Sequence, residues 1–303
     1  MPLRDAITRS LPPIFRIHAE AKPTPDHQEA FTIRPIIYRY LRSRLETSGG
    51  FDSVRYYTFF VGWPRSGHSL FGALLDAHPS VVIAHELDAL PLIEAGFSRD
   101  QLFSCITRNA RSFGLSSAGR GWSDYSYAVP GQWQGRYEDL RVIGDKKGGM
   151  SMHHIAHINP NVIDKVRTCV RVPLRVIVYH RNPFDILGTV ARRAGETTMR
   201  GSTVAHAFHN LVPAVERVRA QLHPDELIEV YHEDFVAEPA AALTRVLDAY
   251  GESASESYLA AATAIVNRSP SQSRSKVSWP AEVRRMVETE IDRHEYLRRY
   301  SFE

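Results

Sequence analysis

The sequence predicts an α/β protein with a parallel sheet flanked by helices, and three observations predict it. Short apolar runs, YYTFFVGW, LRVIVYH and LIEVYH, each end in turn residues and lead into a helical pattern, as buried parallel strands do. The first of the turns carries glycines at the spacing of a phosphate-binding loop. At 303 residues, 43% of them hydrophobic, the chain is long enough to bury one full core with appendages.

In chain order, residues 1–50 read as a helical N-terminal arm, because TIRPIIYRYLRSRLET has an amphipathic helical period closed by Gly49 and Gly50. Such an arm suits packing on the core or on a partner subunit, which leaves a homodimer open. Prolines and charges interrupt the first 22 residues where a signal peptide needs a continuous apolar stretch. Without a run of about 18 uncharged apolar residues, the expectation is a cytoplasmic protein that stays out of membranes.

Residues 51–303 read as the main domain. After YYTFFVGW, SLFGALLDAHP is expected as a helix running to Pro79. LRVIVYH, Leu174 to His180, is followed by the turn RNP and a helical run. LIEVYH, Leu227 to His232, is followed by EDFVAEPAAALTRVLDAYG, a helix stopping at Gly251. The polar, basic stretch NRSPSQSRSKVSW reads as a linker or as a lid ordered by a donor, spanning 267–280.

Net charge is +3, which suits an anionic ligand, and no basic tail or aromatic-basic repeat argues for nucleic acid. Only five of the 37 basic residues are Lys, an arginine excess that points to a GC-rich bacterial source. Cys105 and Cys169 lack metal-ligand spacing and read as reduced thiols. His153, His154 and His157 lie at helical spacing, but no carboxylate or cysteine motif completes a zinc site, so no metal is expected.

The chemistry-bearing stretch is FFVGWPRSGHSLFGALLDAHP. Gly62, Gly67 and Ser69 match G-x-x-x-x-G-K-[ST], yet His68 stands where a nucleotide loop has its lysine. A glycine turn opening a helix at a strand end offers backbone N–H groups and a positive dipole to an anion. Arg65 adds a permanent bidentate cation and Ser69 a hydroxyl. LRVIVYH ends in His180-Arg181 where a Mg-nucleotide site would want an Asp, so the loop suits an anion that travels without the metal.

With these residues in view, the sequence resembles the sulfotransferases that use 3'-phosphoadenosine 5'-phosphosulfate (PAPS). GWPRSGHSL looks like their 5'-phosphosulfate loop, which implies donor contacts from Arg65, Ser66, Gly67, His68 and Ser69. RNPFDILGT supplies Arg181 and, eight residues on, Thr189, similar to the family's 3'-phosphate motif. YHEDFVAEP resembles the strand end near adenine, with His232 at a tyrosine position. The resemblance implies a P-loop NTPase-like sulfotransferase fold, PAPS as co-substrate and a hydroxyl acceptor on a small molecule, carbohydrate or lipid. A protein tyrosine acceptor is the alternative, since the loop region looks most like the tyrosylprotein sulfotransferases. A P-loop kinase and a non-catalytic nucleotide-binding module are more remote readings.

That subfamily places a glutamate after the DAHP element and a short strand, and the matching residue is Glu86. A carboxylate beside a desolvated anion site is expected to have a raised pKa, which favours a base role, with the adjacent His85 as rival. Asp88 stands where the subfamily has an Arg, which puts recognition of an acidic peptide in doubt. The family's lysine on the sulfuryl oxygens aligns with Lys146, leaving Lys147 as its solvated neighbour. In the tail, Ser269 follows Arg268 as a serine follows arginine in the tyrosylprotein members, and Arg274 and Lys276 are candidates for the 3'-phosphate or adenine. The acceptor pocket is expected from residues 90–135 and adjoining positions, where WSDYSYAVPGQWQGRY has aromatics suited to a ring or sugar.

Overall fold

The computed structural model describes Arg39 and residues 50–115, 126–269 and 271–303. The expected arm helix, apart from Arg39, and Trp122 to Tyr125 of the aromatic segment lie outside the described residues.

Five strands form one sheet in the order β2-β3-β1-β4-β5. They are β1 (Tyr56–Gly62), β2 (Val81–His85), β3 (Val142–Lys146), β4 (Leu174–His180) and β5 (Leu227–Tyr231), and every pairing is parallel. The strand YYTFFVG lies at the centre and is apolar because both its faces are covered. Alternation of side chains sends Phe59 and Val61 into one core layer, with Phe103, Val178 and Phe184, and Phe60 into the other, with Phe71, Ile177 and Leu247. Each such phenylalanine contributes about 1.5–3 kcal/mol of transfer free energy.

Three strands stand where the apolar runs put them, but the helix after β1 is shorter than expected. It spans His68–Leu75 and stops before Pro79. The physical reason is Asp76: its buried carboxylate accepts the Ile83 N–H at 2.8 Å and the Gly135 N–H at 2.8 Å, which turns the chain out of the helix toward β2. After β5, the helical run divides into His232–Ala237 and Pro239–Ala249, with Gly251 in the left-handed conformation (φ 70°) just beyond, as a helix C-terminus favours.

β3 lies between β2 and β1 and carries VIGDK, a sequence with little of the apolar signature of a buried strand. Gly144 is required there because a side chain would collide with the backbone and methyl of Thr58 on β1. Asp145 is buried and does structural service, with Oδ1 accepting from Leu87 N at 3.1 Å and Oδ2 from Ala89 N at 2.8 Å. It thereby fixes the turn that follows β2.

The tail after the helix Glu256–Ala264 folds back on the helix Pro183–Arg193. A 3-10 turn, Ser273–Lys276, passes so close to Gly188 that a Cβ there would lie 2.7 Å from the Ser273 carbonyl. Arg274 donates to Asp185 from its backbone N at 3.1 Å and from Nη1 at 3.0 Å, and Trp279 packs edge-on to Phe184 at 5.1 Å. From β1 the chain moves toward β2, and from β4 toward β5. A crevice therefore opens between the carboxyl ends of β1 and β4, where ligands settle in open parallel sheets.

Candidate active site

The loop between β1 and its helix is held from both sides. Trp63 packs edge-on against Phe208 at 5.1 Å, and Pro64 lies against Gly149, where a Cβ would approach Pro64 Cγ to 2.7 Å. Gly67 takes φ 103°, which frees the loop amides to converge, and a Cβ at Gly67 would meet Nδ1 of His232 at 2.7 Å. Arg65 also has a left-handed backbone (φ 71°), a strained conformation for a side chain of its size.

A cleft of about 660 Å³ opens over this loop. Of the residues predicted from sequence, Arg65, Gly67, His68, Ser69, Glu86, Arg181 and Thr189 line it. Ser66 is buried within the loop, and Lys146 lies buried just beneath the cleft. Lys146 reaches up from the end of β3 to donate from Nζ to Ser69 Oγ at 3.0 Å and to Glu86 Oε1 at 2.5 Å. Its stem passes over Gly72, where a Cβ would come within 3.0 Å of Lys146 Cγ. The ammonium that the loop sequence lacks is thus delivered in space by the neighbouring strand.

Lys147 is a partner in the same cluster rather than a solvated neighbour: its Nζ lies 2.8 Å from Glu86 Oε2. This corrects the expected ionisation of Glu86. Burial alone would raise its carboxyl, but the charges and hydrogen bonds of Lys146 and Lys147 outweigh burial and bring it down to about 2. Glu86 also sits at φ 61° and Asp88 at φ 65°, so the turn after β2 holds two strained residues. Burial brings Asp88 up to about 6, against the pull of Lys147 and Arg39.

His85 turns away from the cleft. Its ring stacks on Phe113 at 3.8 Å, its Nε2 is buried without a partner, and burial followed by the charge of Lys146 lowers it to about 3. Arg181 spans the crevice, donating from Nη1 to Arg65 O at 3.0 Å and from Nη2 to Ser271 O at 2.8 Å. Thr189 donates its hydroxyl back to Asp185 O at 2.8 Å. His232 lies beneath Gly67 and shares a 3.0 Å hydrogen bond with Tyr179 Oη, so it supports the loop from below. Ser269 and Lys276 are exposed, and the Arg274 guanidinium is bound to Asp185.

Gly149, Met150, Arg192 and Arg193 line the cleft without having been singled out in the sequence, beside Tyr127 of the expected acceptor segment and Ser271 and Ser273 of the expected lid segment. Arg192 and Arg193 had a legible signal, since they fall three and four positions after Thr189 on one helix face. Ser271 and Ser273 were signalled only as part of the 267–280 segment, and the fold of the tail brings these two to the cleft.

The histidines of the helix after β3 make no such cluster. His154 Nε2 faces Glu94 Oε1 at 3.6 Å and the rings of His153 and His157 pack at 4.9 Å, and among the described residues no three side chains are grouped to hold a metal ion.

The loop's polar atoms fit an anionic ligand. Ser66 Oγ, both ring nitrogens of His68 and Arg181 Nε are buried without a hydrogen-bond partner; His68 and Arg181 line the cleft, and Ser66 lies within its loop. Each such atom costs about 1–3 kcal/mol, and acceptor oxygens of a ligand would offset this at the donors, Arg181 Nε, the Ser66 hydroxyl and the one protonated nitrogen of the His68 ring. Burial, with Lys146 alongside, lowers His68 to about 3 and keeps the imidazole neutral.

No family model matches the sequence, and no curated protein matches it. Solved structures do. The sulfotransferase domain of a Synechococcus olefin synthase is 16% identical over 78% of this chain and 94% of that one, with a TM-score of 0.48. A sulfotransferase from Mycobacterium avium is 11% identical over 93% and 96%, also with a TM-score of 0.48. A mouse sulfotransferase complexed with PAP is 10% identical over 86% and 92%, with a TM-score of 0.44. Each of these three solved structures is a sulfotransferase.

Proposed function

We propose that this chain is a sulfotransferase that moves the sulfuryl group of PAPS to a hydroxyl on a small molecule, carbohydrate or lipid. The observation that carries the reading is the convergence of Arg65, Lys146, Lys147 and Arg181 on a loop whose own lysine position is His68. Bound PAPS would supply an activated sulfuryl group on a phosphate leaving group. Arg65, the amides of residues 66–69 and the Ser69 hydroxyl would hold its 5' end, and Arg181 with Thr189 its 3'-phosphate.

Glu86 is the carboxylate of the cleft, and we read it as the base. While both lysines bind it, its pKa of about 2 makes it a weak one. An anion placed against Lys146 and Lys147 competes for their N–H donors, and a carboxylate deprived of them regains proton affinity. The lysines then stabilise charge on the equatorial and leaving oxygens.

Calorimetric titration with 3'-phosphoadenosine 5'-phosphate (PAP) in the presence of a chelator, followed by transfer from labelled PAPS across a panel of hydroxyl compounds, tests the reading. Tight metal-independent binding is expected. No binding, or binding that needs Mg²⁺, rejects it.

A further inference from the structure

The turn after β2, HELDALPL in sequence, leaves one backbone acceptor without its usual donor. As the helix Ala89–Glu94 opens, the Leu87 carbonyl would receive the N–H four positions on, but residue 91 is Pro91 and has none. Leu87 is buried, which makes an unmet carbonyl costly there. Arg39 meets the need, donating from Nη1 to Leu87 O at 3.1 Å from 48 positions earlier in the chain. The remaining amides of the turn are held from β3. Glu86 N donates to Lys146 O at 3.1 Å, and Leu87 N and Ala89 N donate to the Asp145 carboxylate at 3.1 and 2.8 Å. Glu86 and Asp88, both left-handed, flank Leu87, a backbone that persists only where its surroundings over-determine it. Arg39 adds a hold from outside β3, on the residue next to Glu86.

The same guanidinium has a second effect. Asp88 feels the charges of both Lys147 and Arg39, and Lys147 is also the 2.8 Å partner of Glu86 Oε2. An Asp88 left without Arg39 would compete with Glu86 for that ammonium. Glu86 and Lys147 line the cleft, whereas Arg39 and Asp88 do not, so their influence passes through the turn and through Lys147. We infer that Arg39 is a positioning residue of the active site, latching the turn that aims Glu86 and keeping Asp88 from drawing Lys147 away. The inference rests on the reading of Glu86 as the base. The stretch that reads in sequence as an arm apart from the main domain thus supplies a part of the catalytic turn.

Two measurements on the full chain test it. Amide hydrogen exchange, followed by mass spectrometry, should be about tenfold faster or more over residues 86–92 in Arg39→Ala than in wild type, with β1 and β5 unchanged. Transfer from labelled PAPS to 2-naphthol, methyl glucoside and 1-octanol gives the second readout. On any of these that wild type sulfates, Arg39→Ala should lower turnover by about tenfold or more while acceptor KM and PAP affinity are retained, the latter also reporting a folded variant. Arg39→Lys keeps a donor and a charge and should recover part of the rate, whereas Arg39→Met keeps only the stem and should stay slow. The double variant R39A/D88N should also recover part, because asparagine suits the left-handed backbone and does not hold Lys147. Unchanged exchange in Arg39→Ala rejects the latch whether or not a probe is sulfated. Wild-type turnover in a variant whose turn exchanges faster rejects the positioning role. PAP affinity falling together with turnover makes Arg39 a general support of the fold and rejects it too. If wild type binds no PAP, the sulfotransferase reading falls first and this inference with it.

Discussion

Lys146 Nζ and Glu86 Oε1 meet at 2.5 Å, joining the end of β3 to the turn after β2, and Lys147 closes on the other carboxylate oxygen at 2.8 Å. The two lysines hold the Glu86 carboxylate ionised, whereas burial lowers the Lys146 ammonium and the attraction of Glu86 offsets that only in part. Glu86→Gln keeps the shape and removes the proton acceptor. Turnover should drop by about 10²–10⁴ while PAP binds no more weakly than to wild type, because both lysines are released from the carboxylate. Steady-state rates beside calorimetry check this, and a loss of PAP binding would make Glu86 structural.

Arg181 bridges the loop carbonyl of Arg65 and the tail carbonyl of Ser271. Arg181→Ala removes a charged donor from the cleft and unties the two segments that shape it. PAP affinity should fall by about 1.5–3 kcal/mol, read by calorimetry in the presence of chelator. Unchanged affinity would move the 3'-phosphate site elsewhere.

Gly67 has no room for a side chain: φ is 103° and His232 Nδ1 lies 2.7 Å from the position of a Cβ. Gly67→Ala should therefore cost about 1–3 kcal/mol in denaturant unfolding and weaken PAP binding, since the loop amides cannot keep their direction. His232→Ala in the same background relieves the contact but not the backbone strain, so it should restore only part of the stability.

Asp145 is brought up by burial to about 7 in the folded state, with Asp88 adding repulsion, from an ordinary value of 3.8. A carboxyl raised on folding lends stability below its unfolded value and loses it as pH rises through the folded one. The melting temperature of wild type should therefore decline between about pH 4 and pH 7 through this group, whereas Glu86, lowered on folding, lends stability that is full above about pH 4.5 and is lost as pH falls toward 2. Asp145→Asn should flatten the decline while lowering stability at pH 5 by about 1 kcal/mol, because an amide oxygen accepts from only one of Leu87 N and Ala89 N without a donor clash. Thermal unfolding across pH compares the two slopes.

The sequence by itself determined β1, β4 and β5, the turn that opens a helix after β1, and the residues that line its cleft from Arg65 to Ser69, because a buried parallel strand needs an unbroken apolar run and an anion loop needs glycine. Arg181 and Thr189 were legible for the same reason, being fixed by a strand end and a helical interval. β3 was not legible: its VIGDK is set by Thr58 crowding Gly144 and by two backbone amides seeking Asp145, contacts that local periodicity does not encode. Glu86 and Lys146 were legible as residues but not as a pair, since they lie 60 positions apart and their ionisation depends on their separation and burial. The raised pKa expected of a desolvated carboxylate gave way to a lowered one once two ammonium groups stood within hydrogen-bond reach. Only the tertiary structure decided that, because Coulomb energy follows distance and dielectric in space rather than order along the chain.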